Sequence, residues 1–170
     1  THSSTPPSAV VVTSAAVGDG VIDTNIISTA ADGAYFVSTA DIDGDGDIDV
    51  LSASYLDDTV AWYENNGSGA FTEHIISTAV YATYSVTTAD VDGDGDMDVL
   101  STSWNDDKIA WYENDGSESF TEHTITTAAN GATSVTTADV DGDGDMDVLS
   151  ASFYDDKIAW YENDGSEIFT

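Results

Sequence analysis

From Ile22 onward the chain repeats itself with a period of 49 residues, over 22–70, 71–119 and 120–168, and Phe169 and Thr170 open a further copy. A unit this short cannot bury an apolar face alone, so successive copies must cover one another. Superposed, the copies show four strand-like runs each. In the second copy they are Phe71 to Ser77 (FTEHIIS), Ser85 to Ala89 (SVTTA), Val99 to Ser103 (VLSTS) and Lys108 to Asn114 (KIAWYEN). Every run is short, β-branched or aromatic, and bounded by turn chemistry, including Asn105-Asp106-Asp107 and Asp115-Gly116-Ser117. No apolar period of 3.6 residues is sustained long enough for a helix. Within KIAWYEN, Ile109 and Trp111 project to one side and Ala110 and Tyr112 to the other. A strand apolar on both faces belongs to a sheet that is sandwiched. The expected fold class is therefore all-β, with three four-stranded antiparallel repeats stacked as β-propeller blades. Ahead of the repeats, residues 1–21 read as a flexible leader, Pro-Pro included, with a possible extra strand at Ala9 to Ala16.

Each copy carries one acidic loop: DIDGDGDID from Asp41 to Asp49, and DVDGDGDMD from Asp90 to Asp98 and again from Asp139 to Asp147. Carboxylates at positions 1, 3 and 5 can converge on one point only if the backbone curls tightly. Gly44 and Gly46 permit that curl. Position 7 (Asp47, Asp96, Asp145) would offer a carbonyl oxygen, and position 9 (Asp49, Asp98, Asp147) a closing carboxylate. The convergent set is Asp41, Asp43 and Asp45, then Asp90, Asp92 and Asp94, then Asp139, Asp141 and Asp143. An all-oxygen, flexible loop suits Ca²⁺ better than Zn²⁺ or Mg²⁺, at one ion per repeat and three per chain. The loop is not an EF-hand, because position 12 falls on Ser52, Ser101 and Ser150 instead of Glu and no helices flank it. Without a cation, so many aspartates in register would repel one another.

The charge balance narrows the partners. Thirty-three acidic residues against two basic ones give a formal net charge of −31, so nucleic acid and anionic membranes are poor partners. Cysteine is absent, which removes disulfides and thiol catalysis. No apolar run approaches the length of a membrane span. Low-affinity calcium modules work where calcium is millimolar, which favours a secreted or cell-surface location.

Tyr55, Trp104 and Phe153 occupy one position in the turn after the second strand, beside varying neighbours Leu56, Asn105 and Tyr154. They read as a platform that stacks on sugar rings, with Asp58, Asp107 and Asp156 from the adjacent Asp-Asp pairs accepting hydroxyl hydrogen bonds. The alternative is that these aromatics only pack the rim. Asp32, Tyr35, Tyr81, Tyr84 and Asn130 lie in the connection where the copies diverge, a second place for specific binding or for idle surface. His74 and His123 align with Asn25, which favours a structural hydrogen bond over ligation. An enzyme is not expected. The carboxylates recur identically in each copy instead of forming one asymmetric pair, and no G-x-S-x-G elbow occurs.

The run DxDGDGDxDVLS followed by IAWYENDGS and FTEH resembles the FG-GAP/VCBS repeats of integrin-like β-propellers, and the resemblance covers residues 22–170. It implies that an Asp-rich loop joins the first two strands of each blade and binds Ca²⁺ through the loop aspartates named above. Similar repeats occur in lectins of the Psathyrella velutina type, which implies carbohydrate as a ligand. The alternatives are a purely structural or adhesive module and an auxiliary domain of a polysaccharide-degrading enzyme. Three blades do not close a ring comfortably, so the chain is expected to be a homo-oligomer: a head-to-tail dimer of six blades in which the outer-strand segment Ile22 to Thr29 clasps the last blade, the alternative being a piece of a longer ring.

Overall fold

The computed structural model describes residues 24–166 and 168–170, and the leader with its possible strand at Ala9 to Ala16 lies outside the described residues. Among the described residues there are eleven strands and no helix: β1 Ala34–Ala40, β2 Asp49–Ser54, β3 Thr59–Asn65, β4 Phe71–Ser77, β5 Thr83–Ala89, β6 Asp98–Ser103, β7 Lys108–Asn114, β8 Phe120–Thr126, β9 Ala132–Ala138, β10 Asp147–Ser152 and β11 Lys157–Tyr161. They form three antiparallel sheets, ordered β1-β2-β3-β4, β5-β6-β7-β8 and β9-β10-β11. The period of 49 is preserved, since the sheets begin at Ala34, Thr83 and Ala132.

One expectation is corrected. The third sheet has three strands, not four; only Phe169 opposite Asn163 begins a further pairing. The outer strand expected at Ile22 to Thr29 is not in a sheet over its described part, Thr24 to Thr29, which is irregular and mostly exposed. A strand is held by a partner's backbone, and this segment has none among the described residues. The structural unit also begins later than the sequence unit. The FTEH strand that opens sequence copy 71–119 closes the preceding sheet, with Asn65 opposite Phe71 and Trp62 opposite His74.

The sheets pack face to face in order, β5 lying against β1 and β2, and β9 against β5 and β6. Between the first two sheets sit Leu51, Val60, Trp62, Val86, Val99 and Tyr112; between the second and third sit Leu100, Ile109, Trp111, Val135 and Val148. Thus β6 and β7 are apolar on both sides because each side has a neighbour. Trp62 and Trp111 also stack on the histidine across the strand, His74 at 4.4 Å and His123 at 4.5 Å. Those histidines bond in turn to Glu64 (2.9 Å) and Glu113 (2.8 Å), a structural role.

Candidate functional site

The strand order places two chemistries at opposite ends of the strands. The acidic loops join β1 to β2, β5 to β6 and β9 to β10, while the turns bearing Tyr55, Trp104 and Phe153 lie at the far end of β2, β6 and β10. Six residues of strand separate them, about 20 Å.

At the acidic end, carboxylate oxygens of Asp41, Asp43 and Asp45 lie within 4.8 Å of one another, as do those of Asp90, Asp92 and Asp94, and of Asp139, Asp141 and Asp147. The loops are shaped by their own backbone. Asp45 N–H donates to Asp43 Oδ1 (3.1 Å), Gly46 N–H to Asp41 Oδ2 (3.1 Å) and Asp47 N–H to Asp45 Oδ1 (2.8 Å). The second loop repeats this at Asp94, Gly95 and Asp96. Gly44 and Gly46 take φ of +74° and +95°, the curl expected of them. The side chain at position 7 packs over the turn that follows β3, β7 or β11: a Cβ on Gly67, Gly116 or Gly165 would run into the carboxylate of Asp47, Asp96 or Asp145.

Position 9 does more than close a shell. Asp49, Asp98 and Asp147 are fully buried, and each receives two backbone N–H bonds. Asp98 accepts from Val91 and Asn114, both at 2.8 Å, and so ties the loop to the end of β7. Asp49 does the same with Ile42 (2.9 Å) and Asn65 (2.8 Å), and Asp147 with Val140 and Asn163, both at 2.9 Å. Burial pushes the Asp98 carboxyl up from its ordinary 3.8 to about 6, against the pull of its two N–H partners. Asp49 is raised for the same reason, whereas at Asp147 burial is outweighed by the N–H groups of Asn163 and Val140 and the carboxyl is lowered.

The loops fit a cation. Asp41 Oδ1 is buried without a hydrogen-bond partner, in a cluster that otherwise offers it only other carboxylates. A buried anion of this kind is stable only when paired, and an oxygen-only shell calls for a hard cation.

At the other end, the turn aromatics meet across the sheet boundaries. Tyr84 packs on Tyr35 (4.4 Å) and Tyr55 (5.4 Å) of the first sheet and stacks on Trp104 at 4.8 Å; Trp104 continues to Phe153 (5.6 Å) and Tyr154 (4.9 Å) of the third. The result is one aromatic ridge over three sheets. Tyr35 (59%), Phe153 (64%) and Tyr154 (61%) are exposed, while Tyr55, Tyr84 and Trp104 are half-buried. The turns are pinned from below, with Tyr55 N–H donating to Gly33 O (3.0 Å), Trp104 N–H to Ala82 O (3.0 Å) and Phe153 N–H to Gly131 O (2.9 Å).

The neighbouring aspartates have a second job. Asp58 Oδ1 accepts the Ala82 N–H (2.8 Å) and Asp107 Oδ1 the Gly131 N–H (2.9 Å), each reaching the next sheet. These carboxylates, read from sequence as hydroxyl acceptors beside the aromatics, are joints between sheets, and only their second oxygen is left for a ligand. Asp156 is exposed. A further joint was missed. Asn114 Nδ2 donates back to Ile42 O (3.2 Å) and Asn163 Nδ2 to Val91 O (2.9 Å). The signal was present as the Asn of W-Y-E-N in every copy, at 65, 114 and 163.

Comparison with known families decides the lineage. The FG-GAP-like repeat pattern matches residues 41–101 and, one period on, 90–150. The chain belongs to the FG-GAP-like repeat family. Each match starts at the first aspartate of a loop and runs into the strand after the next loop, so loops and sheets together carry the relationship. FG-GAP-like repeats mark repeat modules of adhesion type, they commonly bind Ca²⁺, and the family is typically non-enzymatic. No curated protein matches the chain.

Proposed function

We propose that this FG-GAP-like chain contributes blades to a calcium-stabilised β-propeller that binds carbohydrate outside the cell. The observation that carries the reading is the continuous ridge from Tyr35 through Tyr84 and Trp104 to Tyr154. Sugar rings present flat C–H faces that stack on aromatic rings, and a ridge spanning three sheets matches an extended saccharide better than a single small molecule. Calcium is structural in this reading. Bound in the loops at the opposite end, it neutralises the aspartate clusters and fixes the start of β2, β6 and β10 without touching the ligand. The surface acidity, with formal net charge −31, favours neutral glycans over anionic ones.

Binding to a panel of immobilised neutral and acidic glycans, repeated with Phe153→Ala, tests this. Phe153 is exposed, so its truncation leaves the fold intact. Loss of glycan binding at unchanged thermal midpoint supports the reading; a panel that stays blank with the calcium-loaded chain refutes it. The second reading is a purely adhesive or spacing module. It is favoured by the apolar end faces of the described sheets, on which Val37 is 66% and Ile158 79% exposed.

A further inference from the structure

The sheets are joined by one interface used twice, and among the described residues each component of it recurs a third time without its other half. The carboxylate joint runs from Asp58 to the Ala82 N–H and from Asp107 to the Gly131 N–H. Next in the series is Asp156, held at φ +52° like Asp58 at +56° and Asp107 at +54°. Its carboxylate has no such partner among the described residues. The matching donor position one period before Ala82 is Gly33, whose φ of +67° equals that of Gly131. The asparagine joint runs from Asn114 to Ile42 O and from Asn163 to Val91 O. In its third occurrence Asn65 Nδ2 donates only within its own sheet, to Ile48 O at 3.0 Å, and the acceptor position falls on Val140.

The apolar surface follows the same rule. Val86 and Val135 are covered by the preceding sheet, at 0% and 4% exposure, whereas Val37 at the equivalent place is 66% exposed. Val60 and Ile109 are covered by the following sheet, at 0% each, whereas Ile158 is 79% exposed. Trp160 (43%) and Val140 (46%) stand against Trp111 (0%) and Val91 (3%) in the same way. One end of the stack thus presents Val37, the Gly33 N–H and the Asn65 amide. The other presents Ile158, Trp160, the Asp156 carboxylate and the Val140 carbonyl. These are the two halves of the junction already formed between the sheets.

We propose that a second copy of this chain docks head to tail on the first, the Val37 face of one against the Ile158 and Trp160 face of the other, with Asp156 accepting the Gly33 N–H across the junction. The occupant is a second copy because both halves sit on one chain in the register used inside it, which makes the contact heterologous: each copy offers two different faces. The inference rests on the sheet stack and is independent of the carbohydrate reading.

Sedimentation equilibrium of the 170-residue chain in calcium is the test, with Val37→Glu and Ile158→Glu as single variants. Both positions are exposed in the single chain, so folding is retained, which circular dichroism verifies. A species of twice 17.8 kDa is expected, and each variant weakens association at least tenfold. Mixing the two variants restores a mixed pair, because one of its junctions joins two unaltered faces. A wild-type chain that stays monomeric at high micromolar concentration overturns the proposal. So does an association that both substitutions leave unchanged, or one that mixing does not restore.

Discussion

Replacing Asn114 by Ala isolates what one side chain contributes to holding two sheets together. Asn114 is 1% exposed; its Nδ2 donates to Ile42 O and to Met97 O, each at 3.2 Å, and its Oδ1 accepts the Gly116 N–H at 3.2 Å. Ile42 is itself buried at 3%, so truncation strands its carbonyl away from water. A stranded buried polar group costs about 1–3 kcal/mol and each lost exposed bond about 0.5–1.5 kcal/mol, so Asn114→Ala is expected to cost about 2–6 kcal/mol. That is a large part of the roughly 5–15 kcal/mol that stabilises a domain. The chain supplies its own control in Asn65, which keeps only the bonds within its sheet, to Ile48 O and from the Gly67 N–H, where water replaces them. Asn65→Ala should cost about 1–3 kcal/mol, without the stranded buried carbonyl. Urea unfolding of both variants, in a Val37→Glu background so that no second copy engages Asn65, measures the difference. Equal losses at the two positions would refute the claim that the cross-sheet bond holds the stack.

Acid should act oppositely on the metal-free and calcium-loaded forms. The folded pKa of Asp98 is raised from 3.8 to about 6, so the folded state holds the proton more tightly, and metal-free stability should rise as pH falls from 7 towards 4. The gain from this group is on the order of 3 kcal/mol, and Asp49 shifts in the same direction. The carboxyls held low, Asp147, Asp115, Asp155 and Asp164, lose their contribution only as pH falls below 3.8, outside that window. The calcium form should instead lose stability over the same range as protons displace the ion; denaturant midpoints at pH 7 and pH 5, with and without chelator, check both slopes. Gly116→Ala should cost about 1–3 kcal/mol, because φ is +73° and the new Cβ meets the Asp96 carboxylate, and a thermal midpoint lowered by roughly 2–4 °C per kcal/mol reports it. Asp41→Asn should remove the ion of its own loop and leave the other two loops loaded, which native mass spectrometry counts directly.

What the sequence disclosed follows from how local each feature is. The loops were legible because their geometry is set by residues at most eight apart, and the strands because turn residues punctuate every run. Apolar faces on both sides of KIAWYEN revealed that sheets stack. The stack's fasteners were not legible in the same way. Asp58 reaches Ala82 over 24 residues, and Asn114 reaches Ile42 over 72, distances at which sequence carries no direct geometric signal. A repeated Asp-Asp pair beside an aromatic therefore reads as a ligand site until the structure shows its oxygen on a backbone N–H. The frame of the sheets was hidden likewise, because the FTEH strand follows β3 through a tight Asx turn, where Asn66 Oδ1 accepts the Ser68 N–H at 3.0 Å, and so completes the sheet behind it. The ridge lay between these extremes. Tyr55, Trp104 and Phe153 could be aligned from the repeat, but Tyr84, which bridges the first two sheets, stands outside it: the equivalent position is Tyr35 in one copy and Thr133 in another.

Titration of the chelator-stripped chain with calcium chloride, followed by calorimetry and a thermal melt of the same samples, tests the central claim most directly. One ion is expected for each of the three aspartate clusters, with a rise in stability with occupancy of about 2.7 kcal/mol per independent site at a hundredfold excess over its Kd. Absence of binding at millimolar calcium, or binding that leaves the thermal midpoint where it was, would contradict it.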